Sequence, residues 1–319
     1  MNQDLYPSIY IPHGGGPCFF MDWTRGPANT WDKMSHWLGL LHLSLPQKPS
    51  AIVVFSAHWE AEVVRINSHP APELIYDYYG FPEHTYRLTY PAPGSPELAK
   101  RIQTLFTAAN ITSELDPTHG FDHGTFVPLK VMFPEADIPV VQVSLHTSLD
   151  PQLHLQMGAA LQTLRQDNIL ILGSGMSFHN MQILMQGNDP QNHSGQFDSW
   201  LNQACTATPK ETNQQLSDWQ TAPSALACHP REEHLIPLMV AAGAAGNHRP
   251  CDGCYCIGLS IWLIRWGNFM SKLLYIQASP RGSRSSSNEV ANSYIESFKA
   301  ASADNTVSTL NVWDMNLPE

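Results

Sequence analysis

Residues 51–60 read A-I-V-V-F-S-A-H-W-E. From Ala51 to Ala57 the run is almost wholly apolar and β-prone, and it stops at His58-Trp59-Glu60. A strand with one wet face alternates apolar and polar residues. An unbroken run suits a strand buried on both faces, as in a parallel sheet covered by helices. Three other stretches repeat the pattern. Ile169-Leu170-Ile171-Leu172-Gly173 is followed by Ser174-Gly175-Met176-Ser177-Phe178-His179-Asn180. Ile138-Pro139-Val140-Val141-Gln142-Val143-Ser144-Leu145 ends at His146, and Ser8-Ile9-Tyr10-Ile11-Pro12 ends at His13, with Gly14-Gly15-Gly16 behind it.

Helical patterns fall between these runs. Ser95-Pro96-Glu97-Leu98-Ala99 opens one with a cap-type serine and a proline at the first helical position. Asp150-Pro151 opens another, expected to run through Met157 and Leu161 to Arg165. A third is expected to begin at Pro230, with Glu232 and Glu233 in a first turn whose dipole favours acids, and to continue through Leu235, Leu238, Met239 and Val240. Strands alternating with helices predict an α/β fold: a central, mostly parallel sheet flanked by helices.

The 319 residues suffice for one large domain or two smaller ones. Apolar residues make up 43% and charged residues 14%, a globular rather than a disordered composition. With a net charge of -11 and no cluster of lysine or arginine, neither nucleic acid nor an anionic membrane is an expected partner. The start Met1-Asn2-Gln3-Asp4 lacks the basic residues of a secretory signal, so the cytoplasm is the expected location. Six cysteines do not make a disulfide scaffold. Cys251, Cys254 and Cys256 invite a zinc reading, but four ligands would require His248 as well, and ordinary loop and strand thiols are the expectation.

Histidine is the unusual count, at 15. In open α/β sheets the functional crevice lies beyond the carboxyl ends of the strands, and His13, His58 and His179 are each expected at that edge. One strand-terminal histidine is ordinary; three together favour a metal site, and imidazole suits zinc and iron. The glycines after His13 would let backbone approach the ion and its substrate. His123 lies in an expected loop, Gly120-Phe121-Asp122-His123-Gly124. In His229-Pro230-Arg231-Glu232-Glu233-His234 the histidines are five apart, about 140° around a helix at ~100° per residue. They should not share an ion if one helix holds both. Periodicity leaves open whether Glu233 or His234 faces the crevice.

In order along the chain, I-P-H-G-G-G-P, A-I-V-V-F-S-A-H-W-E, I-Y-D-Y-Y-G-F-P-E, Y-P-A-P-G-S-P-E-L-A, G-F-D-H-G-T-F-V-P-L, F-P-E-A-D-I-P-V-V-Q-V-S-L, I-L-G-S-G-M-S-F-H-N and H-P-R-E-E-H-L-I-P-L resemble the DOPA-dioxygenase type of the class III (LigB-like) extradiol dioxygenases, over roughly residues 8–262. The resemblance implies that His13, His58 and His234 bind one divalent ion, Fe(II) or Zn(II). It places His179 at or beside that ion and makes His123 an acid/base next to it, with His123 and His179 the catalytic pair. It thereby selects His234 over Glu233. The implied reaction opens a catechol ring, DOPA-like or related, with O2 to a semialdehyde; a small aromatic diol and O2 would be the partners. Tyr76, Tyr78, Tyr79 and Phe81 could wall the substrate. Gly15 stands where the family more often has Ser or Ala, which could alter a substrate contact. The alternatives are a metal-binding member of the superfamily without turnover, or a zinc-dependent hydrolase.

A second resemblance begins at Met270. M-S-K-L-L-Y-I-Q-A-S-P-R-G-S-R-S-S-S-N is similar to the start of an FMN-dependent NADH azoreductase of the flavodoxin-like class. Ser279, Ser285, Ser286 and Ser287 match its phosphate loop. Fifty residues supply a strand–helix–strand start and no complete sheet, so FMN binding is not expected. The expected organisation is a dioxygenase domain over 1–267 and a truncated flavodoxin-like fragment over 270–319, its strands Leu273–Ile276 and Val307–Val312 pairing with each other.

Overall fold

A computed structural model describes residues 5–186 and 189–247, and beyond them the short stretches 256–257, 261–262, 264–266, 272–277, 295–296 and 306–311. The chain forms two compact units, Met1–Asn268 and Phe269–Glu319. In chain order the strands of the first unit are β1 (Ser8–Pro12), β2 (Ala51–Ala61), β3 (Val64–Asn67), β4 (Ser113–Asp116), β5 (Val140–His146), β6 (Ile169–Gly175), β7 (Cys256–Ile257), β8 (Ile261–Trp262) and β9 (Ile264–Trp266). Its helices are α1 (Asp32–Leu41), α2 (Pro96–Ala108), α3 (His123–Met132), α4 (Pro151–Ala160), α5 (Met181–Gln186), α6 (His193–Thr206), α7 (Pro209–Ser217), α8 (Ala225–Cys228) and α9 (Ile236–Ala245). In the second unit β10 (Lys272–Gln277) and β11 (Thr306–Asn311) pair in parallel.

Seven strands make one sheet in the order β4-β3-β5-β2-β6-β1-β9. Its pairs are parallel except β3–β5 and β1–β9. The continuous apolar runs bury both faces. Val53 and Phe55 of β2, Ile171 of β6 and Val141 and Val143 of β5 join one core with α2, α4 and α9. Ile52, Val54, Leu170 and Leu172 point the other way, into a second core with α1 and α3. Helix α9 is buried all round, as befits a wholly apolar helix. Ser95 and Asp150 cap α2 and α4 as their sequences indicate, with side chains accepting from Leu98 N–H and Gln152 N–H.

Four boundaries differ from expectation, and three of them shape the histidine cluster. Strand β2 does not stop at His58 but runs to Ala61. Its partner on β5 moves from Val143, opposite Phe55, to Leu145, opposite Glu60. β2 thus advances five residues while β5 advances two, and the surplus bulges out around His58; such bulges re-aim side chains. His123 is not in a loop: it opens α3, with Asp122 as the cap accepting from Thr125 N–H at 3.0 Å. The third helix starts at Ile236, not Pro230, because the His234 carbonyl is taken by Met176 N–H at 3.0 Å and Tyr10 Oη at 2.8 Å. The Leu238 N–H, its helical partner, turns to Leu235 instead at 3.0 Å. The fourth, α4, gives way after Ala160 to a 3-10 turn over Gln162–Asp167, in which the Arg165 guanidinium binds the carbonyls of Tyr6, Ala244 and Ala245.

Candidate metal centre

Strands and turns deliver the rings from five directions. His13 follows β1 directly, and its N–H donates to the Gly175 carbonyl at 3.2 Å, prolonging the β1–β6 ladder by one residue. His58 sits on the bulge of β2, and His123 on the first turn of α3. His179 lies four residues beyond β6, its N–H donating to the Cys228 carbonyl at 3.0 Å. His234 rests on β6: a Cβ added to Gly175 would come within 2.0 Å of the His234 carbonyl oxygen, so only glycine permits that approach.

The ring centres of His13, His58 and His234 form a near-equilateral triangle, with sides of 4.9, 5.0 and 5.1 Å. With metal–nitrogen bonds of about 2.1 Å, three imidazoles around one ion place their ring centres about 4.5–5.3 Å apart. His123 and His179 stand closer to one neighbour than that. His123 is 3.9 Å from His58, and His179 stacks on His234 at 3.4 Å and 18°. Donor-atom proximity divides the residues differently, with His13, His58 and His123 in one group within 4.8 Å and His179, Glu233 and His234 in another; the triangle follows the ring centres, which the Nδ1 hydrogen bonds of Glu233 do not bias.

Proton bookkeeping sharpens the picture. Ser174 Oγ donates to the Gly124 carbonyl, so the His13 Nδ1–H must be the donor to Ser174 Oγ at 3.0 Å, leaving Nε2 bare. The Glu233 carboxylate accepts from Nδ1–H of His234 at 2.8 Å and of His179 at 3.2 Å. The Asp77 carboxylate accepts from His123 Nδ1–H at 2.8 Å and lies 3.7 Å from His58 Nδ1. His13, His123, His179 and His234 therefore each point a lone pair on Nε2 away from an anchored Nδ1, the arrangement that ligating histidines use. His13 and His58 bring their Nε2 atoms within 3.1 Å of each other. A His58 Nε2–H can donate to the His13 Nε2 at that distance, and with its proton on Nδ1 instead His58 would join His13 in facing one cation. The residues fit a divalent ion.

Burial keeps His13, His58 and His234 neutral. Desolvation, joined by the neighbouring imidazoles, lowers His13 and His234 well below the ordinary histidine value. Desolvation and the His123 ring bring His58 down to about 3. Burial works against ionising Glu233, but His179 and the nearby Arg231 still hold it below the usual carboxylate range. Asp77 is likewise lowered, its burial outweighed by the hydrogen bonds and charge of His123.

Residues 9–259 match the family described as the catalytic LigB subunit of aromatic ring-opening dioxygenase. The chain belongs to that family. A "Dioxygenase tasH" of Hapsidospora irregularis is 38% identical over 82% of this chain and 86% of its own. A "4,5-DOPA dioxygenase extradiol" of Beta vulgaris is 42% identical over 65% of this chain and 77% of its own. The crystal structure of an uncharacterized protein from Escherichia coli K12 superposes with a TM-score of 0.64 at 28% identity, covering 82% of this chain and 99% of that one. Separately, a 50-residue stretch, 16% of the chain, is 54% identical to an "FMN-dependent NADH:quinone oxidoreductase" of Desulfotalea psychrophila, and spans 24% of that protein.

In this LigB-family dioxygenase the aromatic wall is narrower than its sequence indicates. Tyr78 is buried with its ring 5.8 Å from His123, and Phe81 packs on Tyr78 at 5.5 Å. Tyr76 turns into the core between Tyr86 and Phe126, and Tyr79 is 90% exposed; neither is brought to the histidines. Gly15 faces Trp31. Of the three glycines after His13, Gly14 (φ +78°) and Gly16 (φ +59°) are required, a Cβ there falling 2.4 Å from Cys18 Sγ and 2.9 Å from the Phe81 ring. These glycines serve the fit of the turn against Phe81 and its neighbours.

His229 belongs to the core. Its Nε2 bonds the Ser177 carbonyl at 2.9 Å between Phe197 and Trp219, and burial lowers it to about 4. Asp77 and Ser174 escaped the sequence reading, although both lie inside motifs quoted there. The only signal for Asp77 was an isolated acid in the aromatic run Ile75-Tyr76-Asp77-Tyr78-Tyr79. Among the described residues no helix is long and apolar enough to cross a membrane. Ser279 and Ser285 to Ser287 lie outside the described residues, as do His248, Cys251 and Cys254; of Cys256 only the backbone, in β7, is described.

Proposed function

We propose that this protein is an extradiol dioxygenase that opens the ring of a catechol, DOPA-like or related, with O2 to a semialdehyde. The carrying observation is the triangle of His13, His58 and His234, with the Nδ1 atoms of His13 and His234 anchored, inside a LigB-family fold. These three rings would hold one divalent ion, Fe(II) or Zn(II). When bound, iron would supply Lewis acidity toward the diol and electron exchange with O2, whereas zinc has no redox chemistry. An all-histidine donor set leaves the ion's full charge for a catecholate to neutralise.

His123 is the proton handler. Asp77 fixes its Nδ1–H and presents Nε2 to a phenolic hydroxyl, in the geometry a general base needs. Tyr78 limits how the aromatic ring can approach it. His179, carried by Glu233 and stacked on His234, offers a second Nε2 on the other flank for returning a proton. The two rings stand beside different corners of the triangle, His123 at His58 and His179 at His234, so the diol would meet a proton-transfer group at each.

The test is anaerobic loading with Fe(II), followed by a panel of catechols read by O2 consumption and the yellow absorbance of a semialdehyde. One O2 consumed per ring opened is expected with iron and none with zinc. An iron-loaded protein that consumes no O2 with any catechol would leave the non-catalytic metal-binding reading, and hydrolysis by the zinc form would replace both.

A further inference from the structure

Glu233 lies between two rings, its Oε1 accepting from both while its buried Oε2 has no hydrogen bond and faces Arg231. Oε1 is 2.8 Å from His234 Nδ1 and 3.2 Å from His179 Nδ1. Oε2 is buried and lies 3.4 Å from Arg231 Nη1. The other arm of that guanidinium, Nη2, donates to Glu60 Oε2 at 2.6 Å. Glu60 belongs to β2, two residues beyond His58, where the pairing with β5 resumes after the bulge. The chain Glu60–Arg231–Glu233 therefore ties the strand that carries His58 to the turn that carries His234.

We propose that Glu233 is a positioning residue, not a ligand: one carboxylate oxygen fixes the tautomer and ring plane of His234 and His179 together, and the Arg231–Glu60 bridge holds that carboxylate still. The inference rests on the reading of His234 as a metal ligand. A carboxylate oxygen that accepts from Nδ1 lies at the opposite edge of each ring from Nε2, out of bonding reach of an ion held at Nε2. The need for such a tether follows from the backbone. Residues 233–235 form a turn outside any strand ladder, and the bonds to the His234 carbonyl hold its backbone without setting its side-chain torsions. The 18° stacking of His179 on His234 makes the two rings one unit, and a single acceptor suffices for both. Losing such a partner commonly costs 10–100-fold in metal affinity.

The full-length chain, stripped of metal and titrated with Co(II), tests this without turnover. Affinity and the visible d–d spectrum are the readouts. Glu233→Ala should weaken Co(II) binding roughly 10–100-fold and alter the spectrum. Glu233→Gln, which keeps an oxygen acceptor in place, should recover most of both, and Arg231→Met should shift both in the same direction as Glu233→Ala by a smaller factor. Wild-type affinity and spectrum in Glu233→Ala would overturn the proposal. So would loss of Co(II) in Glu233→Gln as complete as in Glu233→Ala, because Glu233 would then be a ligand. If Glu233→Ala loses its far-ultraviolet circular dichroism, Arg231→Met decides: an altered spectrum supports the tether and an unaltered one refutes it. His234→Ala in the same titration separates the two readings, since Co(II) retained there would sink the His234 ligand assignment itself.

Discussion

His13 and His234 occupy equivalent corners of the same triangle yet are held by opposite means. His13 is the next rung of a strand ladder, and its ring needs only the neutral hydroxyl of Ser174, on the neighbouring strand, to point it. His234 stands on a turn, and its ring is pointed by a carboxylate that is itself braced by Arg231. Where the sheet fixes the backbone, a weak hydrogen bond completes the placement. Where a turn fixes it, charge does the orienting.

The comparison breaks first at the ligands. His13→Ala and His234→Ala should each lose the stoichiometric ion, measured by elemental analysis after gel filtration; an ion retained by one alone would show that the corners are not equivalent. Next in size, His123→Gln should keep the ion and lose turnover about 10²–10⁴-fold, the usual range for general acid/base catalysis. Loss of the ion instead would move His123 into the ligand set, as its proximity to His13 and His58 allows. Asp77→Asn, which removes the charge serving His123 and His58, should cost about 10–100-fold in turnover or metal affinity. Ser174→Ala should weaken Co(II) binding by only about fivefold, the equivalent of one neutral hydrogen bond of about 1 kcal/mol. An effect as large as that of Asp77→Asn would erase the distinction between a ladder-held and a turn-held ring. Smallest of all, deleting residues 270–319 should leave ring cleavage unchanged at equal iron content. A solved relative superposes over 99% of its own length on 82% of this chain, so the dioxygenase fold stands without an added 50-residue segment.

The sheet was legible because Ile52, Val53, Val54 and Phe55, and again Leu170, Ile171 and Leu172, alternate between two apolar cores with no polar residue between them. His13 was legible for the same reason, as the residue that ends such a run. Other placements depend on contacts far along the chain. The bulge that turns His58 is set by β5, and the late start of α9 by Tyr10 and Met176. Asp77 meets a histidine 46 residues away, and Arg231 an acid 171 residues away. Helical periodicity put Glu233 and His234 in a first turn that the helix, starting only at Ile236, does not include, and which oxygen faces which ring is a tertiary fact. The roles of the five histidines came from family likeness; composition and spacing had left Glu233 and His234 open.

The clamp on the His234 carbonyl has one more consequence. Met176 N–H, Tyr10 Oη and the bare face of Gly175 grip the main chain and make no use of the imidazole. The position thus works as a socket: its Cα is set by the fold, and the donor it presents is a separate choice. An exchange such as His234→Glu would offer the ion an oxygen and a negative charge from the same anchoring point. The charge offered to an ion held there would change while the main-chain clamp keeps its partners.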